Sequence, residues 1–161
     1  MMAEAGLAAL WFAAALAALQ LVVAALGLRR RPIPDGADDT RVDIRGAVRP
    51  VAIVQGLMVL VAMAMLIGVF LGSDMSVRVV IENSHSAKPW IYKFAGAWGN
   101  HEGSMLLWVT ILGLAGGAVA IFERRLDQRT LIATLGAQAG IALGFYAFLL
   151  FSSNPFDRVS P

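Results

Sequence analysis

The stretch VAIVQGLMVLVAMAMLIGVFL, Val51 to Leu71, decides the fold class, because it carries no charged residue. A helix needs about 20 mostly apolar residues to cross a hydrocarbon core about 30 Å thick. A lone strand there would leave its backbone polar groups without partners. The stretch therefore reads as a membrane-spanning helix. Working outward, three more charge-free runs qualify: Leu7 to Leu28, Met105 to Phe122 and Leu131 to Phe151. The run 105–122 is the shortest of the four, and Trp108 falls in the interfacial aromatic belt at its start. The expected fold class is an all-α membrane protein, a single domain over residues 1–161 with four transmembrane helices.

Composition agrees. The chain is 58% hydrophobic and 15% charged, with a mean hydropathy of +0.71, against about 45–50% apolar and about 25% charged in soluble domains. It has no cysteine, which excludes thiol–disulfide chemistry, a structural disulfide and thiolate metal ligation.

The net charge is +2, and its distribution sets an orientation. The first run has Glu4 before it and Arg29, Arg30 and Arg31 after it. A signal peptide has the opposite order, with a shorter apolar core. Loop 29–50 adds Arg41, Arg45 and Arg49, and loop 123–130 adds Arg124, Arg125 and Arg129. The other side holds Arg78, Lys88, Lys93 and Arg158. The positive-inside rule puts both termini and loop 73–104 outside, and loops 29–50 and 123–130 in the cytoplasm. The basic residues record topology, so no nucleic acid is expected as a partner. Loop 29–50 mixes Pro32, Pro34 and Gly36 with Asp35, Asp38, Asp39 and Asp43, and reads as a solvated connection, with a partner site as the alternative.

Glycines recur four apart: Gly68 and Gly72, Gly113 and Gly117, then Gly136, Gly140 and Gly144. They are read as helix-packing positions, with a face for partner helices as the alternative. The polar side chains within the spans are Gln20, Gln55, Thr110, Thr134, Gln138 and Tyr146. None is ionised, which argues against a transporter or proton-handling subunit.

Loop 73–104 is the least generic segment. Val77, Val79 and Ile81 alternate with other residues, a weak extended-strand signal. A polar turn, Glu82 to Ser86, follows, and Pro89 suits the first turn of a helix. Trp90, Phe94 and Trp98 then fall on one helical face. A short helix there would lie along the outer membrane surface as an anchor, or as a platform for a flat apolar ligand or a partner. In Trp98-Gly99-Asn100-His101-Glu102-Gly103-Ser104 the glycines allow a tight turn. Asn100 suits a helix cap, and Glu102 complements the helix dipole. His101 is a candidate proton carrier or haem-iron ligand; His85 is a weaker one. No catalytic constellation and no metal-site spacing is present.

The runs Val77 to Ser84, Pro89 to Lys93 and Trp98 to Trp108, with Ser153-Asn154-Pro155-Phe156-Asp157-Arg158 after the fourth span, resemble in order and spacing the N-terminal region of the cytochrome c maturation protein F (CcmF) family. The motif positions are Asn83, Ser84, Pro89, Tyr92, Trp98, Gly99, His101, Glu102, Gly103, Ser104, Trp108, Asn154, Pro155 and Phe156. The resemblance implies a haem lyase subunit of the bacterial inner membrane, with its functional loop in the periplasm. Haem is the implied cofactor. Other cytochrome c maturation subunits, a haem chaperone and apocytochrome c are the implied partners, besides membrane lipid. Family members continue into a tryptophan-rich haem loop and haem-ligating histidines that this sequence lacks. The expectation is thus a split subunit, truncated product or fragment that is not a competent lyase alone, and no haem-ligand role carries over to His101. A membrane scaffold without haem contact is the alternative.

Overall fold

A computed structural model describes residues 1–29 and 44–159. Most of the expected loop 29–50, including Arg30, Arg31, Pro32, Pro34 and Arg41, lies outside the described residues. The elements in chain order are α1 (Met2–Arg29), a 3-10 turn (Ile44–Ala47), α2 (Val48–Leu71), α3 (Arg78–Asn83), α4 (Trp90–Gly96), α5 (His101–Phe122) and α6 (Gln128–Phe151). α1, α2, α5 and α6 are each long and apolar enough to cross a membrane, so the chain is an all-helical, four-span protein. The β-pairing among the described residues is one bridge, Val77 to Arg158.

The long helices form a ring. α1 packs between α2 and α6, α2 also packs on α5, and α5 meets α6 more sparsely. Lipid tails are as apolar as leucine, so helices associate through close contact rather than through the hydrophobic effect. α1 suits this: besides Leu10 and Gln20, its buried residues are Ala3, Gly6, Ala9, Ala13, Ala17, Ala24 and Gly27, all small. α2 and α5 cross closely at Gly56, where a Cβ would lie 2.7 Å from the Gly113 carbonyl oxygen. α1 and α6 meet at Gly136, where a Cβ would lie 2.6 Å from the Ala24 Cβ. The packing reading therefore holds for Gly113 and Gly136. It does not hold for Gly144, which faces open space, and Gly140 has only Leu21 near it, at 3.9 Å.

Polar side chains tie the ring. Gln20 Nε2 donates to the Leu135 carbonyl at 2.7 Å and to Gln138 Oε1 at 2.9 Å, joining α1 to α6. Gln55 Nε2 donates to the Tyr146 hydroxyl at 2.5 Å, joining α2 to α6. Thr110 returns its hydroxyl to its own helix at Leu106, whereas Thr134 is exposed.

The two ends of the bundle differ. At the turn end, Arg49 donates to the carbonyls of Ala120 at 2.6 Å and Glu123 at 2.8 Å, the orphan acceptors of α5's last turn. Asp127 then caps α6 through the amides of Arg129 and Thr130, and those bonds hold its carboxyl below the usual range. At the loop end, α2 stops at Gly72, Ser73 takes a left-handed φ of 50°, and the chain enters α3.

α3 corrects the strand reading of 77–81. Val77 alone is extended, and Ile81 and Ser84 donate their amides to Val77 and Val80 in helical register. The alternation misled because Val80, outside the alternating set, is buried with Val77 and Val79, while Ile81 is 47% exposed. Val77 and Val80 are three apart, which is helical spacing.

Candidate functional site

The motif residues converge at the loop end. α5 begins with Asn100 as N-cap: its Oδ1 accepts from the Gly103 amide at 2.7 Å, and its Nδ2 donates to the Gly96 carbonyl at 2.8 Å. One side chain thus joins the end of α4 to the start of α5. Gly103 is required sterically, since a Cβ there would overlap the Ala97 carbonyl. Ser104 donates its hydroxyl to the Trp98 carbonyl at 2.7 Å, and Trp98 packs edge-on against Phe94 at 4.7 Å. A Cβ at Gly99 would lie 3.3 Å from the Ala95 carbonyl oxygen. Glu102 stands in the first turn of α5, where its charge complements the helix dipole.

The tail straps this junction to the bundle. Asn154 Oδ1 accepts from the Phe156 amide at 3.0 Å, which turns Phe156 inward. Pro155 and Phe156 are buried, and the Phe156 ring fills the space that a Cβ on Gly6 would need. Arg78 N donates to the Asp157 carbonyl at 2.9 Å and Val159 N to the Ser76 carbonyl at 3.0 Å. Arg78 pairs with Asp157 at 3.0 Å, and Arg158 pairs with Glu4. Asp74 accepts from the amide and hydroxyl of Ser76, which hold its carboxyl below the usual range.

His101 sits at the seam. Its Nδ1 lies 3.2 Å from the buried Ser153 hydroxyl, and its ring stands edge-on to Phe148 at 5.4 Å. These two contacts fix the ring, which is otherwise exposed. His85 stands exposed on the turn between α3 and α4. Among the described residues no three His, Cys, Asp or Glu side chains gather into a metal site. One imidazole on an open surface does not make a resident haem site, so the residues present do not fit that group.

The remaining motif positions divide. Asn83 donates to the Val79 carbonyl at 2.9 Å, Ser84 ends α3, and Pro89 is the N-cap of α4. Tyr92 and Trp108 are exposed, at 61% and 62%. Sequence reading missed Gly6, Gly56 and Arg49 as structural partners. The signal for Gly6 was present in the small-residue face of α1, but its partner Phe156 is 150 residues away in sequence.

Comparison with known proteins agrees with this geometry. No family model matches the chain. Cytochrome c-type biogenesis protein CycK of Bradyrhizobium diazoefficiens is 45% identical over 160 residues, 99% of this chain and 23% of that protein. CycK of Rhizobium meliloti is 44% identical over 161 residues, 100% of this chain and 22% of that protein. Cytochrome c-type biogenesis protein CcmF of Pseudomonas aeruginosa is 46% identical over 113 residues, 70% of this chain and 17% of that protein. A solved structure, Cytochrome c Heme Lyase CcmF, superposes with a TM-score of 0.83 at 21% identity, over 99% of this chain and 25% of that one. The chain thus spans less than a quarter of the length of the CycK relatives it matches.

Proposed function

Because the chain belongs to the CycK/CcmF family of cytochrome c-type biogenesis proteins, as its N-terminal portion, we propose that it serves cytochrome c maturation. In this reading it is the N-terminal part of a CcmF-like haem lyase subunit that assists haem delivery and attachment to apocytochrome c. The single observation that carries it is the 45% identity to CycK across 99% of the chain. The loop end faces the periplasm of a bacterial inner membrane, both termini lie on that side, and loops 29–50 and 123–130 are cytoplasmic. Other maturation subunits, a haem chaperone and the apocytochrome are the partners. Haem is handled by the assembly, with no ligand assigned to this chain.

The test is genetic. Removing the coding segment for residues 1–161 in the source organism should abolish haem-stained c-type cytochromes on denaturing gels, and supplying it in trans should restore them. Unchanged haem staining after removal overturns the reading.

One observation favours a second reading, a scaffold that never touches haem. Asn100, Gly103, Ser104 and Phe156 are all used in packing or capping. The two readings separate in the assembled complex. A Soret band that falls in His101→Ala excludes a pure scaffold, and an unchanged band supports it.

A further inference from the structure

The surface that folding explains least is the turn 83–89 with α4. Trp90, Ile91 and Tyr92 are 71%, 55% and 61% exposed, although each costs free energy when left against water. Two ammonium groups are held beside them. Lys88 Nζ donates to the Asn83 carbonyl at 2.9 Å, and Lys93 Nζ donates to the Ser86 carbonyl at 3.0 Å. Asn83 closes α3, and Ser86 stands in the turn that follows it. The ion pairs among the described residues join the N-terminal amine to Glu4, Arg78 to Asp157 and Arg158 to Glu4; neither lysine takes part. Each ammonium has three donors and uses one on the backbone. Two fixed cations with donors to spare therefore flank an aromatic surface.

The height of this surface in the fold identifies its occupant. α4 rests on the last turn of α2, where a Cβ on Gly96 would lie 3.3 Å from the Phe70 ring. That is the level at which the apolar span ends. Leu71, in that last turn of α2, is 42% exposed, and Trp108, in the first half of α5, is 62% exposed. Tryptophan and tyrosine rings suit the headgroup region, and ammonium groups there attract anionic lipid.

We propose that turn 83–89 and α4 form a contact for anionic phospholipid. Lys88 and Lys93 take the headgroup phosphate, and Trp90 and Ile91 enter the boundary between headgroup and acyl chain. The occupant is lipid rather than protein because α4 lies at the level where the α2 span ends and the charge of its lysines complements the headgroup. This inference does not depend on the role in cytochrome c maturation.

The test uses the full chain in nanodiscs, with Trp11, Trp98 and Trp108 replaced by Phe so that Trp90 is the sole reporter. Brominated phosphatidylglycerol should quench Trp90 more than brominated phosphatidylcholine at equal mole fraction. Lys88→Gln with Lys93→Gln should remove that preference, on the order of fivefold per lysine. Equal quenching by the two lipids, unchanged in the double variant, overturns the proposal. So does quenching by aqueous acrylamide with none by brominated lipid, which would leave the surface to a water-borne partner. Should the triple replacement fail to fold, photoactivatable phosphatidylglycerol can be crosslinked to the unaltered chain. Adducts mapping to residues 84–93 support the contact, and adducts confined to the spans overturn it.

Discussion

The two ends of this bundle are closed by different means. The turn end joins α5 to α6 through residues 123–127, with local caps from Glu123 and Asp127 and one longer-range clamp from Arg49. The loop end joins three segments far apart in sequence: the start of α1, the stretch 73–104 and the tail 152–159. A local closure depends on few neighbours. A knot of distant segments ties each residue to several others, so it tolerates less change. The family-motif residues lie at the knot, and most of them hold it together. What they leave open to a ligand or partner is narrow: one edge of His101, Trp108 and the outward side of α4.

The comparison breaks most sharply at Gly103. Gly103→Ala places a Cβ into the Ala97 carbonyl, and backbone cannot yield as a flexible side chain can. The expected loss is about 3 kcal/mol, the upper end for overpacking, with detachment of α4. Gly117→Ala, towards the turn end, meets its nearest atoms at 3.8 Å and should be near neutral. Thermal unfolding of both variants in detergent measures the contrast. Equal stability would show that the knot is no stricter than the rest.

The turn end has its own weak point. Arg49→Leu removes two charge-assisted bonds, at 2.6 Å and 2.8 Å, from the carbonyls of Ala120 and Glu123. The cost should be about 3 kcal/mol, the lower end for two bonds to a charged group at about 1.5–3 each. Hydrogen exchange should rise in the last turn of α5 and not in 73–104. If protection falls at the loop end instead, the two closures are coupled rather than separate.

How legible each region was follows from the same contrast. The four spans were readable because lipid forces helical structure on any long charge-free run. The caps at Asn100 and Asp127 use side chains within three residues of their targets, and Asn100 was identified from the sequence. The strap was not readable. Nothing in Ser153-Asn154-Pro155-Phe156 names Gly6 or His101 as its partner, because those contacts are tertiary. α3 was misread because a weak alternation over 77–81 competes with the spacing of Val77 and Val80, and burial decided it. The His101 site was legible as a motif but not as chemistry, since Ser153 and Phe148 reach it from another helix end.

Acid should sharpen the comparison. The carboxyls of Asp74, at the loop end, and Asp127, at the turn end, both sit below the usual range because of hydrogen bonds, from Ser76 and Thr130 respectively. A depressed carboxyl contributes stability above its unfolded pKa of about 3.9 and loses it as pH falls through the folded value. Below about pH 4 both turns should therefore loosen. Asp74→Asn should remove the acid response of the 76–80 turn, while Glu4, paired with Arg158, and the turn end still respond. The effect is small, because both groups are exposed to solvent screening. Amide exchange at 76–80 and 129–131 across that pH range reads it.

The smallest effect belongs to Ser73. Its φ of 50° is in the left-handed region, which costs an L side chain about 1 kcal/mol or more, and its buried hydroxyl has no partner. Ser73→Gly relieves both. The gain is offset by the greater freedom of glycine in the unfolded chain, about 0.5–1 kcal/mol. A net stabilisation of about 0.5 kcal/mol is expected. This would be a gain at the loop end, where nearly every other change is a loss, because Ser73 stands at the very edge of the knot and its side chain joins nothing. If Ser73→Gly destabilises by more than about 1 kcal/mol, the Ser73 hydroxyl has a partner in the assembled protein, and the knot extends one residue further than its bonds indicate.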